Sequence, residues 1–219
     1  MCKNSKNSAE KVNFVCEMCT CEPKKRVTGV YGGSFNPIHV GHVSMASEIV
    51  RQGLVDEMWL VVSPQNPLKD SGLWDDDFRL QLARAAVRDV DGVEVSDVEF
   101  GLPKPNYMIV TLETLSERFP EREFVLVIGQ DNWDCFQRWY RWEEILKRHR
   151  LIVLPRQSNE PARNTLCLDE QAMARVQFVD TSLINVSSTW IRAELSDNPD
   201  YNGEFLPAEV WEIIKKKIK

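Results

Sequence analysis

The chain has 219 residues, with 43% apolar residues, 27% charged residues and a formal net charge of −6 at pH 7. This composition is ordinary for a globular protein with a sizeable core, and the acidic balance argues against a general nucleic-acid binder. No apolar run approaches the roughly 20 residues that a membrane helix needs, and the polar first ten residues lack the apolar core of a signal peptide. We therefore expect a cytoplasmic protein with neither a membrane nor a nucleic acid as partner.

Residues 1–26 are polar and carry little apolar surface to bury, so we expect a flexible N-terminal extension outside the fold. Within it, Cys16, Cys19 and Cys21 form a C-x-x-C-x-C run. Such a run can ligate zinc or act in redox chemistry. Because no second Cys/His pair with suitable spacing follows nearby, we favour free thiols. Residues 27–219 are expected to form a single domain.

From residue 27 onward, strand patterns alternate with helical patterns. In chain order we predict a strand at 27–31, a helix beginning at 39–42, a strand at 57–62, a helix beginning at 75–77, a strand at 93–100, a helix at 107–119, a strand at 124–128, a helix at 133–148, strands at 151–154 and 176–179, and short helices near 188–195 and 207–217. This alternation indicates an α/β fold with a doubly wound parallel sheet. Ligands of such sheets bind beyond the carboxyl ends of the strands, where the strand order reverses.

The segment after the first strand, residues 32–42, reads Gly-Gly-Ser-Phe-Asn-Pro-Ile-His-Val-Gly-His. Glycines let the backbone approach a ligand closely, and the helix start adds free N–H groups and a positive dipole end. His39 and His42 are three residues apart, so both imidazoles can face one ligand and donate hydrogen bonds to phosphate. The pattern predicts a phosphate site. It is also compatible with two unrelated histidines, or with a metal pair whose third ligand is not evident within the motif.

Two common phosphate motifs are missing from the sequence. There is no G-x-x-x-x-G-K-[ST] segment, which argues against a P-loop kinase or ATPase. There is no G-x-G-x-x-G segment either, which argues against a nicotinamide-cofactor dehydrogenase. We therefore expect phosphate to be bound in another way.

A second predicted helix start, Ser-Ser-Thr-Trp-Ile-Arg at residues 187–192, has features that could also bind a phosphate. Serine and threonine are common N-caps, and the free N–H groups of a helix start can hold a phosphate. Arg192 lies one turn into the helix and adds a charged, forked donor. Alone, such a segment is more often only a helix cap.

The combination G-G-S-F-N-P-x-H-x-G-H with S-S-T-x-I-R resembles the nucleotidyltransferase superfamily that shares the H-x-G-H motif. Within it, the sequence is most similar to the nicotinate-nucleotide adenylyltransferase family over residues 27–219. Three more segments support this narrower resemblance: Pro-Gln-Asn-Pro-Leu-Lys at 64–69, Pro-Asn-Tyr at 105–107, and Ile-Gly-Gln-Asp at 128–131 with Trp139 eight residues on. The resemblance implies a Rossmann-like nucleotidyltransferase fold.

The resemblance also implies a reaction. ATP and nicotinate mononucleotide give nicotinate adenine dinucleotide and pyrophosphate, a step of NAD biosynthesis. The attacking phosphate oxygen of the mononucleotide is already anionic, so no protein base is required. Magnesium would accompany ATP and bridge its phosphate oxygens, with no metal ligand supplied by protein side chains.

The resemblance assigns roles to residues at the predicted site. It implies catalytic roles for His39, His42 and Arg192, which would stabilise charge on the ATP phosphates. The implied ATP-binding residues are Gly33, Ser34, Phe35, His39, His42, Gly129, Asp131, Ser188, Thr189 and Arg192. The implied residues of the mononucleotide side are Lys69, Tyr107, Met108, Trp139 and Tyr140, with Trp139 stacking on the pyridine ring.

Two positions depart from the family pattern. Asn36 stands where many members carry aspartate, and Met108 stands where a threonine is common. If position 108 serves the ring carboxylate through its backbone N–H, the methionine is harmless; otherwise the choice between nicotinate and nicotinamide stays open. Adenylyl transfer to phosphopantetheine, and nucleotide binding by a regulator without turnover, are competing hypotheses. The oligomeric state, including a homo-oligomer, is also left open.

Overall fold

The structure is a computed structural model that describes residues 24–64, 73–155, 162–180 and 184–218. Nearly all of the predicted extension at 1–26 lies outside the described residues, including its four cysteines. Lys69 also lies outside them. The predictions for these residues, and for the division of the chain into an extension and one domain, stay predictions.

Within the described ranges, six parallel strands form one sheet in the order β3-β2-β1-β4-β5-β6. The strands are β1 (Arg26–Gly33), β2 (Glu57–Val62), β3 (Val93–Ser96), β4 (Arg122–Gly129), β5 (Arg150–Leu154) and β6 (Val176–Phe178). The chain adds β2 and β3 on one side of β1 and then places β4 on the other side. The strand order therefore reverses between β1 and β4, where an α/β sheet binds its ligands. The predicted parallel, doubly wound sheet is confirmed.

Helices cover both faces of the sheet. They are α1 (Val40–Arg51), α2 (Asp76–Ala86), α3 (Met108–Arg118), α4 (Gln130–Asp134), α5 (Trp142–Arg148), α6 (Glu170–Met173), α7 (Ser188–Asp197) and α8 (Ala208–Ile218). Helices α1, α2, α7 and α8 contribute to one apolar core, and α3, α4 and α5 contribute to the other. None of the described helices combines the length and the apolarity needed to cross a membrane.

Strand β2 shows how the sequence produces this layering. All six of its residues are buried, as expected for a parallel strand that has helices on both sides. Because side chains alternate along a strand, Met58 and Leu60 enter the first core while Trp59 and Val61 enter the second.

Two predicted elements are wrong in extent. The strand predicted at 93–100 ends at Ser96 and is followed by a 3-10 helix, Val98–Gly101. The single helix predicted at 133–148 is three pieces: α4, a 3-10 helix at Phe136–Arg138, and α5. The break has a backbone cause, because Trp139 is extended (ψ 144°) and Arg141 is left-handed (φ 53°). The apolar residues at 133, 136, 139 and 142 have the spacing of a helix face, but the backbone that carries them is broken into short pieces.

Candidate active site

The loop between β1 and α1 brings the two predicted histidines into contact. His39 is the N-cap residue of α1, and His42 lies in its first turn. Their rings are stacked, with centroids 3.7 Å apart and planes 25° from parallel. The backbone N–H of His39 donates to Nδ1 of His42 at 3.3 Å. Both imidazoles therefore lie together at the helix start.

Two buried polar atoms of this loop have no hydrogen-bond partner among the described residues: Oγ of Ser34 and Nδ1 of His39. Burial lowers the pKa of His39 from its usual 6.5 to about 4, so its imidazole is neutral at neutral pH. Leaving buried polar atoms unpaired is costly, and native structures rarely do so without a reason. Unpaired polar atoms beside a glycine-rich loop and a helix start are typical of a site that binds a polar ligand.

Phe35 supports the histidine pair from within the loop. Its buried ring meets His42 edge-to-face at 5.1 Å and Tyr31 at 5.9 Å. Its backbone is left-handed, with φ 45°, a conformation that costs a bulky residue of order 1–3 kcal/mol and persists only where the surroundings enforce it. The loop is therefore held in one strained shape before any ligand binds.

The second predicted motif packs directly on this loop, although it lies about 150 residues later in the chain. Ser188 Oγ donates to the carbonyl of Pro37 at 2.9 Å. Arg192 Nη1 donates to the carbonyl of Asn36 at 2.7 Å, and its Nη2 donates to Thr189 Oγ1 at 3.3 Å. The guanidinium thus contacts the residue three positions before His39. The two motifs converge, as the sequence predicts.

The start of α7 keeps donors available. Ser187 is its N-cap residue, and its hydroxyl accepts the N–H of Trp190 at 3.1 Å. A helix leaves its first four N–H groups without intrahelical partners, and this cap satisfies the last of them, that of Trp190. The N–H groups of Ser188 and Thr189 stand at the first two helical positions, beside Arg192.

Asn36 shows what an amide does at the position where the family often carries aspartate. Its side-chain Oδ1 accepts the backbone N–H of Trp74 at 3.0 Å. An amide oxygen and a carboxylate oxygen can both accept this bond. The substitution therefore preserves the link between the loop and the residues before α2.

On the other side of the switch point, β4 ends at Gly129, which is the N-cap residue of α4. Asp131 lies in the first turn of α4 and is exposed, so it is not the cap itself. Gln130 is buried and binds the backbone of Arg163 in both directions, donating to its carbonyl at 3.0 Å and accepting its N–H at 2.9 Å. Because β1 and β4 are neighbours, this turn lies beside the histidine loop.

Of the predicted residues of the mononucleotide side, Tyr107 and Tyr140 are in contact with each other. Met108 is the first residue of α3, and a Cβ added to Gly32 would lie 2.5 Å from its Cε, so the end of the Met108 side chain packs directly against this glycine. The rings of Tyr107 and Tyr140 are 4.7 Å apart. Trp139 is half-buried against Phe136, with ring centroids 5.3 Å apart. Tyr140 is 54% exposed and presents the open aromatic face of this group.

One residue near the loop, Arg79, is absent from the sequence prediction. It is completely buried in α2 and donates to the backbone carbonyls of Ser34 and Ser63. The sequence contains a signal for this burial. Leu82, Ala83 and Ala86 follow Arg79 by three, four and seven residues, so Arg79 lies on the same apolar face of the helix. A charged residue on the buried stripe of a helix must find partners.

A second residue that the sequence prediction missed is Glu99, in the 3-10 helix after β3. It is buried, and burial raises the pKa of its carboxyl. Its Oε1 accepts the hydroxyl of Thr111 at 2.7 Å, and its carbonyl accepts the amide of Asn106 at 3.0 Å. Glu99 therefore fixes the start of α3, where Tyr107 and Met108 lie. Because the sequence pattern predicts a strand at 93–100, it assigns Glu99 no role at the start of α3.

Comparison with known proteins agrees with this geometry. The Cytidylyltransferase-like family profile matches residues 30–194. A probable nicotinate-nucleotide adenylyltransferase of Bacteroides thetaiotaomicron is 41% identical over 203 residues, covering 92% of this chain and 97% of that protein. A protein of the same description from Flavobacterium johnsoniae is 39% identical, covering 85% of this chain and 94% of its own.

Solved structures agree on the fold. The nicotinic acid mononucleotide adenylyltransferase of Plasmodium falciparum, solved with NaAD, superposes with a TM-score of 0.67 at 17% identity, over 88% of this chain and 96% of that one. A putative nicotinate-nucleotide adenylyltransferase of Vibrio parahaemolyticus superposes with a TM-score of 0.61 at 23% identity, over 87% and 99%. With the identity and coverage of the curated relatives, the conclusion is that this chain belongs to the nicotinate-nucleotide adenylyltransferase family.

Proposed function

We propose that the protein transfers AMP from ATP to nicotinate mononucleotide, giving nicotinate adenine dinucleotide and pyrophosphate. The observation that carries this proposal is the bond from Arg192 Nη1 to the carbonyl of Asn36. This bond holds the Arg192 guanidinium and the start of α7 against the loop that carries the stacked rings of His39 and His42. One triphosphate can be reached by all of these groups.

The reaction needs positioning and charge stabilisation more than proton transfer. A phosphate oxygen of the mononucleotide forms a bond to the α-phosphorus of ATP. The bond from that phosphorus to the oxygen bridging to the β-phosphate breaks, and pyrophosphate leaves with the electron pair. The attacking oxygen is already anionic, so no side chain has to remove a proton. The protein supplies orientation and stabilises charge on the non-bridging oxygens.

The two histidines are the proposed stabilisers at the α-phosphate. His39 is neutral because burial lowers its pKa to about 4, and a neutral imidazole donates one N–H to an oxygen. An anionic phosphate nearby would favour the protonated form of the His39 ring, since an opposite charge raises a histidine pKa. Both rings are held by the stack and by Phe35, so they need little reorganisation when charge develops.

The proposed triphosphate cradle combines backbone donors with one charged side chain. At the loop, these are the N–H groups of Ser34 and Phe35, which follow Gly33. At α7, they are the N–H groups of Ser188 and Thr189, because the Ser188 hydroxyl already donates to Pro37. Arg192 has five N–H donors, of which two have partners among the described residues. The rest suit phosphate oxygens.

The remaining roles concern the sugar and the pyridine ring. We assign the adenosine ribose to Gly129 and Asp131, at the end of β4. The pyridine ring is assigned to Trp139 and Tyr140, stacked on a flat π-face. Lys69, in the segment after β2, is assigned to a substrate phosphate from the sequence alone.

Selection of nicotinate over nicotinamide is assigned to the start of α3. Tyr107 is its N-cap residue and Met108 its first helical residue. A methionine side chain has only a weak acceptor, so recognition would come from backbone N–H groups and the positive end of the helix dipole. Both favour an anionic carboxylate over a neutral amide.

Divalent metal with ATP is common to nucleotidyltransferases, and we propose Mg²⁺ here. Within the described ranges, no group of three or more His, Cys, Asp or Glu side chains could hold a metal ion. The donor set at the loop, imidazoles and backbone N–H groups, suits phosphate oxygens and not a hard cation. The ion would therefore be carried on the phosphate oxygens of ATP, where it neutralises charge.

The test is pyrophosphate release from ATP with each acceptor in turn: nicotinate mononucleotide, nicotinamide mononucleotide and phosphopantetheine. The proposal expects the largest kcat/KM with nicotinate mononucleotide. Pyrophosphate release with another acceptor only would overturn nicotinate mononucleotide as the substrate. Nucleotide binding without pyrophosphate release with any acceptor would favour a nucleotide-binding regulator without turnover.

A further inference from the structure

Arg79 presents a buried guanidinium whose five N–H donors all have acceptors. Its side chain is completely shielded from solvent. Nε donates to the Trp74 carbonyl (3.0 Å), Nη1 to the carbonyls of Ser34 (2.5 Å) and Ser63 (2.9 Å), and Nη2 to the Pro64 carbonyl (3.2 Å) and to Asp76 Oδ1 (2.6 Å). Only arginine carries five donors in a planar fan.

These acceptors come from separate parts of the chain that meet at the carboxyl edge of the sheet. Ser34 follows β1, Ser63 and Pro64 follow β2, and Trp74 precedes α2. Burying a charge is expensive, and fold stability alone is a weak reason to keep one. Four of the acceptors are backbone carbonyls of residues outside the strands and helices, and the fifth is the carboxylate of Asp76 in α2. Arg79 therefore stabilises this loop geometry by satisfying them.

The bond to Ser34 determines where the next amide points. A trans peptide unit is planar, and its C=O and N–H point in opposite directions. Because the Ser34 carbonyl faces Arg79 inside the protein, the N–H of Phe35 faces away from Arg79. The preceding peptide is fixed in a similar way, since the Gly33 carbonyl accepts the N–H of Ser63 at 2.9 Å. The left-handed φ of Phe35 is thereby held in place.

We propose that Arg79 is a positioning residue for adenylyl transfer. By holding the Ser34 carbonyl, it directs the Phe35 N–H toward the phosphates of bound ATP, without touching the nucleotide itself. This inference rests on the proposed function. It adds a residue on α2, outside both sequence motifs, to the groups that determine the rate.

The first test is Arg79→Lys, with Arg84→Lys as the matched control. Both arginines lie on α2, but Arg84 pairs with Asp97 at the surface, where both side chains are more than half exposed. Steady-state rates are measured at a temperature at which circular dichroism shows each protein fully folded. Lysine has three donors and no planar fan, so the Ser34 carbonyl loses its fixed partner.

We expect Arg79→Lys to lower kcat per folded molecule by about 10²-fold, the scale that misplacement by an ångström can cost. The KM for nicotinate mononucleotide should change less than about threefold, since that substrate lies on the α3 side, and Arg84→Lys should stay within about twofold of wild type. An Arg79→Lys protein with a lower melting temperature but wild-type kcat per folded molecule would show a purely structural role and overturn the inference.

A second measurement needs no variant and covers the case in which Arg79→Lys fails to fold. In ¹⁵N-labelled wild-type protein, a non-hydrolysable ATP analogue should shift the Phe35 amide proton downfield at saturation, as a new hydrogen bond forms. An unshifted Phe35 amide at saturating analogue would contradict the inference. The proposed function fails separately, if wild-type protein releases no pyrophosphate with nicotinate mononucleotide.

Discussion

The two ends of strand β1 carry buried polar groups of different kinds. At the amino end, both oxygens of the buried Glu57 carboxylate have partners: Thr28 Oγ1 donates at 2.7 Å, Arg26 lies at 3.0 Å, and Arg122 pairs with the same oxygen as Thr28. At the carboxyl end, Ser34 Oγ and His39 Nδ1 have no partner among the described residues.

The difference separates a network that serves the fold from one that awaits a ligand. A structural polar group gains by pairing within the protein, as both oxygens of the Glu57 carboxylate do, although Arg122 Nε has no hydrogen-bond partner among the described residues. A phosphate site must leave donors unpaired until the anion arrives, and this costs stability in the free protein. The comparison predicts that changes at the amino end lower stability and changes at the carboxyl end lower activity.

The largest effect is expected from Glu57→Ala. It should lower the free energy of unfolding by about 3 kcal/mol, because it removes the buried carboxylate that pairs with the half-buried Arg122, and leave kcat per folded molecule unchanged. Denaturant unfolding measures the loss. The control is Glu123→Ala, which breaks an exposed pair with Arg150 and should cost less than about 1 kcal/mol. A fall in kcat of the folded Glu57 variant would contradict the prediction that the amino end of β1 affects stability and not activity.

His42→Ala should lower kcat by about 10²-fold or more, the usual scale for losing one electrostatic stabiliser, with little loss of stability. Steady-state kinetics with ATP and nicotinate mononucleotide measures it. His149→Gln is the control, because this buried histidine contacts the Phe124 carbonyl near the amino end of β4 and should keep wild-type kcat. Unchanged turnover in folded His42→Ala would remove His42 from the mechanism.

Arg192→Lys should raise the KM for ATP by roughly tenfold. Lysine keeps the charge but loses the forked geometry that spans Asn36 and the phosphates. Arg150→Lys, at an exposed pair at the start of β5, is the matched control. A KM for ATP equal to that of wild type would place Arg192 outside the triphosphate site.

The smallest effect concerns pH. Burial lowers the pKa of His39 to about 4 in the folded protein, against about 6.5 when unfolded, so the unfolded chain binds more protons between these values. The contribution of His39 to the free energy of unfolding is therefore fully present above pH 6.5 and is lost as the pH drops toward 4. Between about pH 7.5 and about pH 5.5, His39→Asn should lose roughly 1 kcal/mol less than wild type in denaturant unfolding. Equal losses in both proteins would show that His39 does not titrate as stated.

The sequence predicts the sheet and the convergence of the motifs because both follow from local signals. Apolar runs such as 57–62 mark buried parallel strands, and each motif follows directly on a strand or opens a helix. Tertiary contacts determine the rest. The aromatic spacing through 133–148 is typical of a helix, but the extended Trp139 and the left-handed Arg141 break it. Arg141 pairs with Glu113 on α3 and with Glu144, contacts that the spacing does not reveal. The apolar stripe of α2 indicates that Arg79 is buried and needs partners, but the carbonyls and hydroxyls that Arg79 and Glu99 bind are distant in sequence, and no local pattern identifies them.

The central claim is that the loop after β1 and the start of α7 hold one triphosphate. A crystal structure of this chain with a non-hydrolysable ATP analogue tests it most directly. The account predicts that oxygens of one triphosphate lie within hydrogen-bond distance of His39 or His42 and of Arg192 in the same molecule. A triphosphate bound by only one of the two motifs, or away from both, would contradict it.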